Sequence, residues 1–253
     1  MGAKATYVYC AVQARRKPNL RRAPSGPPGL GEHRLLDGGR GLWLVVADAP
    51  LSRYGEAAIQ RGLHRLTWLS RCAVAHEAVV EYCLRLRGVV PMKLFTLFEN
   101  DFRALAEIER QRPQLERSMR RVAGRREWGV RIRAVPGQVA RPARPLKKIS
   151  SGASYLAAKK QVRDAARELA ERGQVRVNGA FASLAALSAD VQRHPPPAGG
   201  SPTRLLLDAA FLVAAGGIAR FRAATRRIAR DLGREGYAVE VTGPWPPYNF
   251  IEP

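Results

Sequence analysis

The sequence predicts an α+β protein with two domains and an extended aromatic C-terminal tail. Three observations support this fold class. Short runs of β-forming residues alternate along the chain with longer segments of helical period. The order of these elements changes near residue 124, and three prolines restrict the backbone of the aromatic C-terminus. With 253 residues, of which 46% are hydrophobic, the chain has enough apolar material for two cores.

The N-terminal domain is predicted to be an α/β domain spanning residues 1–124. Residues 4–12 alternate as a strand does, and residues 42–47 form a short apolar run that is typical of a buried strand. Between them, residues 13–40 combine prolines and glycines with arginines, a composition that predicts a long mobile basic loop. Ser52 follows the second strand and is a candidate N-cap for the helical region after it.

Two helical regions complete this domain. The stretch 61–87 has clear helical period. Its predicted mostly apolar stripe comprises Leu66, Leu69, Cys72, Ala73, His76, Val79, Val80, Cys83 and Leu84. Residues 89–98 form a hydrophobic, strand-like run in which Pro91 favours a sheet edge or a bend. The next helix is predicted to be broken or kinked at Pro113. Its predicted inner face comprises Phe102, Leu105, Ile108, Leu115, Met119 and Val122.

The C-terminal domain, residues 125–253, has a different order of elements. The predicted elements are a strand at 127–133, a helix at 152–173, a weakly alternating segment at 183–193, a strand at 205–215, a helix at 218–233 and a strand at 237–241. A Pro- and Arg-rich loop separates the first two elements at 136–149, and the tail occupies 243–253. Strand-helix-strand-strand-helix-strand is the order of the ferredoxin-like split βαβ fold.

The tail combines stiffness with large apolar side chains. Its prolines fix φ and remove backbone donors, so the segment is expected to run extended rather than form a helix or a central strand. Trp245, Tyr248 and Phe250 can each bury roughly 150–250 Å². A frayed terminus would leave that surface in water. The tail is therefore expected to pack either on the protein's own domains or on a partner.

The net charge of +22, from 43 Lys and Arg against 21 Asp and Glu, indicates a basic exterior suited to an anionic partner. It leaves a nucleic-acid-binding protein with a ferredoxin-like sheet as an alternative function. The cations are mostly arginines and are spread over several elements, as on an ordinary solvated surface encoded by a GC-rich genome. The nearest match to an RNA-recognition core, Asn178-Gly179-Ala180-Phe181, lacks flanking aromatic residues that would stack on bases. Nucleic acid is therefore not an expected partner.

The sequence signals for a catalytic or metal site are weak. Cys72 and His76 lie four residues apart on one helix face, which is a spacing found among metal ligands. The rest of that stripe is aliphatic apart from Cys83, which lies about 10 Å farther along the axis, and this favours a core histidine. No phosphate-binding loop, nucleophile elbow or paired carboxylates are present. We predict no catalytic residues, no metal site and no cofactor, in a protein that is not an enzyme.

Cysteine usage and hydropathy predict a cytoplasmic protein. Cys10, Cys72 and Cys83 are odd in number and form no Cys-x-x-Cys motif, which is typical of buried free thiols in a reducing compartment. No apolar run reaches the roughly 18 residues of a membrane span. The N-terminus also lacks the apolar stretch of a signal peptide.

The C-terminal pattern Gly-Pro-Trp-Pro-Pro-Tyr-x-Phe at 243–250 resembles the ending of the gas vesicle protein L/F family (GvpL/GvpF). Further matching stretches occur in the expected order: Tyr7-Val8-Tyr9, Pro50-Leu51-Ser52, His76 with Val79-Val80-Glu81, Val90-Pro91-Met92-Lys93, Thr96-Leu97-Phe98, 124–130, 151–156 and Phe211-Leu212-Val213. The resemblance covers nearly the whole chain except the loops near 13–40 and 136–149. Similar proteins usually have Phe-Gly-Thr at Leu94-Phe95-Thr96, so a different local backbone is expected there.

Gas vesicles are protein shells built from a small, very hydrophobic repeated subunit. The resemblance implies an accessory protein that binds this subunit and assists nucleation or assembly of the vesicle. It implies the major gas vesicle shell protein and other gas vesicle accessory proteins as partners, no membrane, and a cytoplasmic location in association with gas vesicles. It also implies the two-domain fold, with the tail packed across both domains. The expected partner-binding or inter-domain residues are Trp245, Pro246, Pro247, Tyr248 and Phe250.

Overall fold

The computed structural model describes residues 2–86, 88–135, 137–138, 152–195 and 205–251, with only the backbone at 152–155 and 157. It mixes helices with two antiparallel sheets. The chain divides into two compact units, a first unit of Met1–Arg126 with Trp245–Pro253 and a second unit of Glu127–Pro244. The C-terminal residues thus belong with the first unit, whereas the sequence analysis assigned the whole tail to the second domain.

The first unit contains five strands and five helices among its described residues. They are β1 (Lys4–Gln13), β2 (Arg34–Asp37), β3 (Leu42–Pro50), α1 (Leu51–Tyr54), α2 (Glu56–Leu63), α3 (Leu66–Cys83), β4 (Gly88–Pro91), β5 (Leu97–Phe98), α4 (Asp101–Arg110) and α5 (Arg112–Val122). The strands form an antiparallel sheet in the order β2-β3-β1-β4, and β5 also pairs with β1.

Strand β1 is the centre of this sheet and is buried on both faces. Its register against β3 shifts between Val8 and Cys10, so the chain carries an extra residue at Tyr9. The bulge places Tyr7, Tyr9 and Cys10 in the same core cluster, together with residues of α3, while Val8 packs in the cluster on α4 and α5. Two cores therefore enclose one sheet, so β1 is buried at nearly every position, whereas the alternation predicted for residues 4–12 would bury only every second one.

The helical region after β3 differs from the sequence prediction at two points. Ser52 is not the N-cap, because α1 begins at Leu51, whose backbone N–H donates to the Ala3 carbonyl and needs no side-chain cap. The helix predicted over 61–87 is interrupted before Leu66. Gly62 permits this break, since a Cβ there would lie 2.3 Å from the Trp68 ring.

Two more predictions for this unit need correction. Residues 34–37, which were expected to be loop, form strand β2, because Leu35 and Leu36 pair with Val45 and Leu44 of β3. Phe102 is 75% exposed rather than on the inner face of its helix. The buried positions of α4 are Ala104 and Ile108, which leave Phe102 rotated toward solvent. The predicted break at Pro113 is present, with Pro113 in the first turn of α5.

The second unit contains four strands and two long helices among its described residues. They are β6 (Arg125–Ala134), which starts just before the boundary, α6 (Gly152–Ala185), β7 (Asp190–Arg193), β8 (Leu205–Ala214), α7 (Ile218–Arg234) and β9 (Tyr237–Trp245). The sheet has the order β7-β8-β6-β9. Its core joins Trp128, Phe211 and Phe221, with tilted rings about 6 Å apart, to aliphatic residues of α6.

Helix α6 is twelve residues longer at its C-terminus than the helix predicted at 152–173. Val177, Ala180 and Leu184 recur at three- and four-residue steps and are buried, so the apolar face continues past Gly173. The segment 183–193 accordingly contains the end of a helix and only the short strand β7. The predicted loop at 136–149 lies largely outside the described residues.

Candidate functional site

The tail was expected to run extended, but it turns at Pro247 before its end. Pro247 has φ −81° and ψ 57°, and the Tyr248 N–H donates to the Pro246 carbonyl at 2.8 Å, which defines an inverse γ-turn. Residues Tyr248–Phe250 then form one 3₁₀ turn, closed by the Phe250 N–H donating to the Pro247 carbonyl at 3.1 Å. Proline fits the γ-turn because its ring fixes φ and the turn needs no N–H from it.

The end of the tail is anchored in the core of the first unit. Phe250 is 1% exposed, and both Pro246 and Pro247 are buried. The guanidinium of Arg121 lies 5.8 Å from the centre of the Phe250 ring, and Arg121 Nη1 donates to the Phe250 carbonyl at 3.4 Å. Ile251 packs on the cluster of α4 and α5. This part of the tail is a strap on its own unit.

Tyr248 ties the strap to α3. Its hydroxyl donates to Glu77 Oε2 at 2.9 Å. Burial, and then the negative charge of Glu77, raise the pKa of Tyr248. Both effects disfavour the phenolate, so the hydroxyl keeps its proton and remains a donor. A carboxylate acceptor makes this a strong kind of hydrogen bond.

Trp245 behaves differently from the other aromatic residues of the tail. It is 41% exposed, although it lies only three residues before Tyr248. Helix α3 adds further exposed apolar surface in the same unit, since Leu66 is 77% and Val74 is 70% exposed. The placement of Leu66 on the predicted apolar stripe was therefore wrong, because α3 begins only at this residue. Leu66, Ser70 and Val74 follow at four-residue steps and share one helix face with Glu77. We call Leu66, Val74 and Trp245 the apolar strip.

His76 is part of a buried hydrogen-bond chain. Its Nε2 lies 3.0 Å from the Met92 carbonyl, which can only accept, so Nε2 carries the proton. Nδ1 then accepts from the Tyr7 hydroxyl at 2.7 Å, and Tyr7 in turn accepts from the Phe95 N–H at 3.4 Å. Burial lowers the pKa of His76 to about 4 and raises that of Tyr7. The neutral ring links β1, α3 and the segment after β4.

The arrangement gives this histidine a structural role. Both of its ring nitrogens are already used within the fold. Cys72, the candidate metal ligand four residues earlier, contacts Tyr54 instead, and burial raises its pKa. Within the described parts of the chain, no group of three or more His, Cys, Asp and Glu residues is placed to hold a metal ion.

A charged cluster that the sequence did not reveal joins four elements of the first unit, β1, β2, β3 and α4. Arg34 of β2 donates to Asp48 Oδ1 at 2.8 Å and to Asp101 Oδ1 at 2.8 Å. Thr6 also donates to Asp101, and Lys4 pairs with Asp48. Lys4 and Arg34 lower the pKa of Asp48, and Arg34 and Thr6 lower that of Asp101. Both carboxylates form ion pairs with Arg34 of β2, so they hold this strand in place. This arrangement favours a structural role over acid–base catalysis.

The basic loop before β2 has its own contacts. Tyr54 donates to the Pro28 carbonyl at 2.9 Å, and the Gly31 N–H donates to the Asp48 carbonyl at 2.8 Å. An open cavity of about 1050 Å³ lies within the loop and is lined by residues between Lys17 and Leu35. His33, which lines this cavity, lies 2.7 Å from the Pro24 carbonyl. Among the described residues of the lining, no nucleophile is hydrogen-bonded to a base, so these residues form no recognisable catalytic geometry.

The departure noted at Leu94-Phe95-Thr96 has a clear structural outcome. Phe95 has φ 64°, the left-handed conformation that glycine adopts easily and a bulky residue rarely does. Its ring stacks on Trp68 at 5.3 Å with an interplanar angle of 11° and also contacts Tyr54. Phe95 thus adopts the left-handed conformation that glycine would favour, and its ring packs against Trp68 and Tyr54.

Comparison with known proteins places these features in a family. The profile described as "Gas vesicle synthesis protein GvpL/GvpF" matches residues 5–252. The chain belongs to this gas vesicle family. It is 29% identical over 253 residues to "Gas vesicle protein L" of Streptomyces sp. (strain CB03234), covering 96% of this chain and 91% of that protein. The expected resemblance to the GvpL/GvpF family is confirmed.

Solved structures of two GvpF proteins share the fold. The GvpF protein from Anabaena sp. PCC7120 matches with a TM-score of 0.68 at 16% identity, covering 98% of this chain and 96% of that one. The GvpF protein from Microcystis aeruginosa also gives a TM-score of 0.68, at 14% identity, covering 98% and 99% of the two chains. Both matches span the α+β architecture described above.

The family context is that of gas vesicle structural and accessory proteins, not a known family of enzymes. In the described parts of the chain, none of the helices has both the length and the apolar character to cross a membrane.

Proposed function

We propose that this protein assists gas vesicle assembly by binding the small hydrophobic shell subunit through the apolar strip of the first unit. The chain's membership in the GvpL/GvpF family supports a gas vesicle role. The observation that carries the binding site is the contrast within the tail. Phe250 and Tyr248 are used to fix the segment on α3 and α5, while Trp245 stays exposed near them.

The strip suits an apolar partner. A shell subunit with a large hydrophobic face aggregates unless that face is covered. Leu66 and Val74 expose most of their side chains, and the Tyr248–Glu77 hydrogen bond brings the tail within one helical turn of Val74. Trp245 lies at most about 10 Å farther along an extended chain. Tryptophan is the residue type most often found to anchor protein interfaces.

We also propose that the second unit is ferredoxin-like and supports assembly without catalysing a reaction. Its order β7-β8-β6-β9 places the first strand between the third and the fourth, which supports this assignment. The further partners would be other gas vesicle accessory proteins, and the site of action would be the cytoplasm, at the vesicle. Nucleic acid is not proposed as a functional partner, because the family match supports a role in gas vesicle synthesis.

Capture of co-expressed shell subunit tests the proposed site. Trp245→Ala combined with Val74→Lys should reduce the captured subunit at least about tenfold, because both changes remove exposed apolar surface from the strip. Phe102→Lys is the matched control, since Phe102 is 75% exposed on α4 and lies outside the strip. Each variant must first show an unchanged thermal unfolding transition.

Equal losses in the strip variant and the Phe102 control would show that capture depends on general surface hydrophobicity. Normal capture by a folded strip variant would place the binding site elsewhere. Either result would overturn the proposed location, whereas loss in the strip variant alone would support it.

A further inference from the structure

Helix α7 of the second unit has an outward face rich in arginine. Six of its 17 residues are arginines, and its acidic residue is Asp231. By comparison, Lys and Arg together make up 43 of the 253 residues of the chain. The fraction on this helix is therefore about twice that of the whole protein. The arginines are Arg220, Arg222, Arg226, Arg227, Arg230 and Arg234, all exposed.

The rotation of α7 is fixed by its buried side. Phe221, Thr225, Ile228 and Leu232 recur at three- and four-residue steps and pack against the sheet. This holds every arginine away from the core. Arg222, Arg226, Arg230 and Arg234 follow one another at four-residue steps, so neighbouring side chains start about 6 Å apart along the axis. We call these four residues the arginine row.

The charges of the arginine row destabilise the helix that carries them. Like charges at four-residue steps repel each other and destabilise a helix slightly. Within the described parts of the chain, Arg234 is the only member of the row with an ion-pair partner, Asp231 at 4.0 Å. The other three have no carboxylate to neutralise them there. A partner that supplied acidic groups at the same spacing would remove this repulsion and gain paired charges.

The geometry favours a helix as that partner. Carboxylates at four-residue steps on a helix have the same 6 Å repeat as the arginine row. Ala219 and Ala223 are exposed beside the row and add little bulk. Small residues allow two helix axes to approach to the usual 8–10 Å. A row of carboxylates could then meet the guanidinium groups directly.

Two other occupants fit less well. A helix alone, about 10–12 Å across, fills the roughly 12 Å major groove of DNA. Helix α7 does not stand alone, because Arg176 of α6 forms an ion pair with Glu235 at its C-terminus and the two helices pack together. A second copy of this chain is disfavoured by its net charge of +22.

We propose that the arginine row of α7 binds an acidic helix of a partner protein, with Asp or Glu at four-residue steps. This surface is separate from the apolar strip and does not depend on it.

Two synthetic peptides test the proposal. One is an alanine-based helix of about 18 residues with glutamates at four-residue steps, and the other is a scramble of the same composition without the row. At physiological salt, the row peptide should bind the full chain at least about tenfold more tightly than the scramble, as measured by fluorescence anisotropy. A 20-base-pair DNA duplex (roughly two turns) is the competing probe.

Charge reversal locates the site. Arg226→Glu should weaken binding of the row peptide at least about tenfold. It should not lower the melting temperature, because the introduced carboxylate would gain Arg222 and Arg230 as neighbours of opposite charge. A triple reversal of Arg15, Arg16 and Lys17 in the exposed basic loop removes more charge from the first unit and should change binding less than about threefold.

Equal binding of the row and scrambled peptides would overturn the proposal, as would an equal or larger loss in the loop variant. Failure of the row peptide to bind would also overturn it. Tighter binding of the DNA duplex, lost on Arg226→Glu, would assign the surface to nucleic acid instead. None of these outcomes depends on the shell subunit, so the proposed function is tested separately.

Discussion

Trp245 and Phe250 lie five residues apart in one aromatic tail, yet their environments are opposite. Phe250 is 1% exposed and lies near Arg121, while Trp245 keeps 41% of its surface in water. The turns at Pro247 and Tyr248–Phe250 separate them. One short segment thus uses one aromatic residue as an anchor in the core and leaves another exposed for contact with a partner.

The largest expected effect comes from removing the anchor. Phe250→Ala should lower the free energy of unfolding by about 3–5 kcal/mol, because it leaves a cavity in a closed core. Trp245→Ala should cost only about 1 kcal/mol, since much of the indole is already hydrated. Urea denaturation of both variants measures the difference. Similar losses at the two positions would mean that Trp245 is also an anchor and would remove the contrast.

Lowering the pH should reduce the free energy of unfolding through His76, by somewhat less than Phe250→Ala does. The pKa of His76 falls from 6.5 to about 4 in the folded protein because of burial. The unfolded chain therefore takes up a proton first, so this contribution to stability is full above pH 6.5 and is lost as the pH falls toward 4. The difference corresponds to about 3 kcal/mol.

His76→Gln provides the control for that prediction, because its amide can donate and accept but does not titrate in this range. Subtracting its pH profile of unfolding from that of the unaltered protein removes the contribution of carboxylates elsewhere. Parallel profiles between pH 4 and 6.5 would contradict a buried neutral histidine. A gap that narrows with falling pH would agree with it.

Much of the fold follows from local patterns in the sequence. Runs of β-forming, mostly apolar residues located β1 and β3. Helical period located α3 and α7, because burial on one face of a helix imposes that spacing. The length of α6 was missed, because the predicted helix ended at residue 173 whereas the buried stripe continues to Leu184. Helix ends that are set by tertiary packing are less clearly marked in the local sequence.

Long-range polar contacts were beyond the reach of sequence patterns. Arg34 meets Asp48 and Asp101, which lie 14 and 67 residues away, so no local motif marks the cluster. The tail was predicted as a packed aromatic segment from its prolines and rings alone. Which ring is buried depends on the turn at Pro247 and on Arg121 and Glu77, contacts that only the folded chain brings together.

A smaller loss of stability than at the anchor is expected at Tyr248, which lies between Phe250 and the exposed Trp245. Tyr248→Phe keeps the ring but removes the donor to Glu77, and should cost about 1.5 kcal/mol, as expected for a hydrogen bond to a charged acceptor. A double-mutant cycle with Glu77→Gln separates this bond from other contacts of Glu77 and should give a coupling of about 1 kcal/mol. Additive effects would show that the bond contributes nothing to the strap. In that case, packing of Phe250 alone would hold the tail, and Trp245 would owe its position to the core rather than to α3.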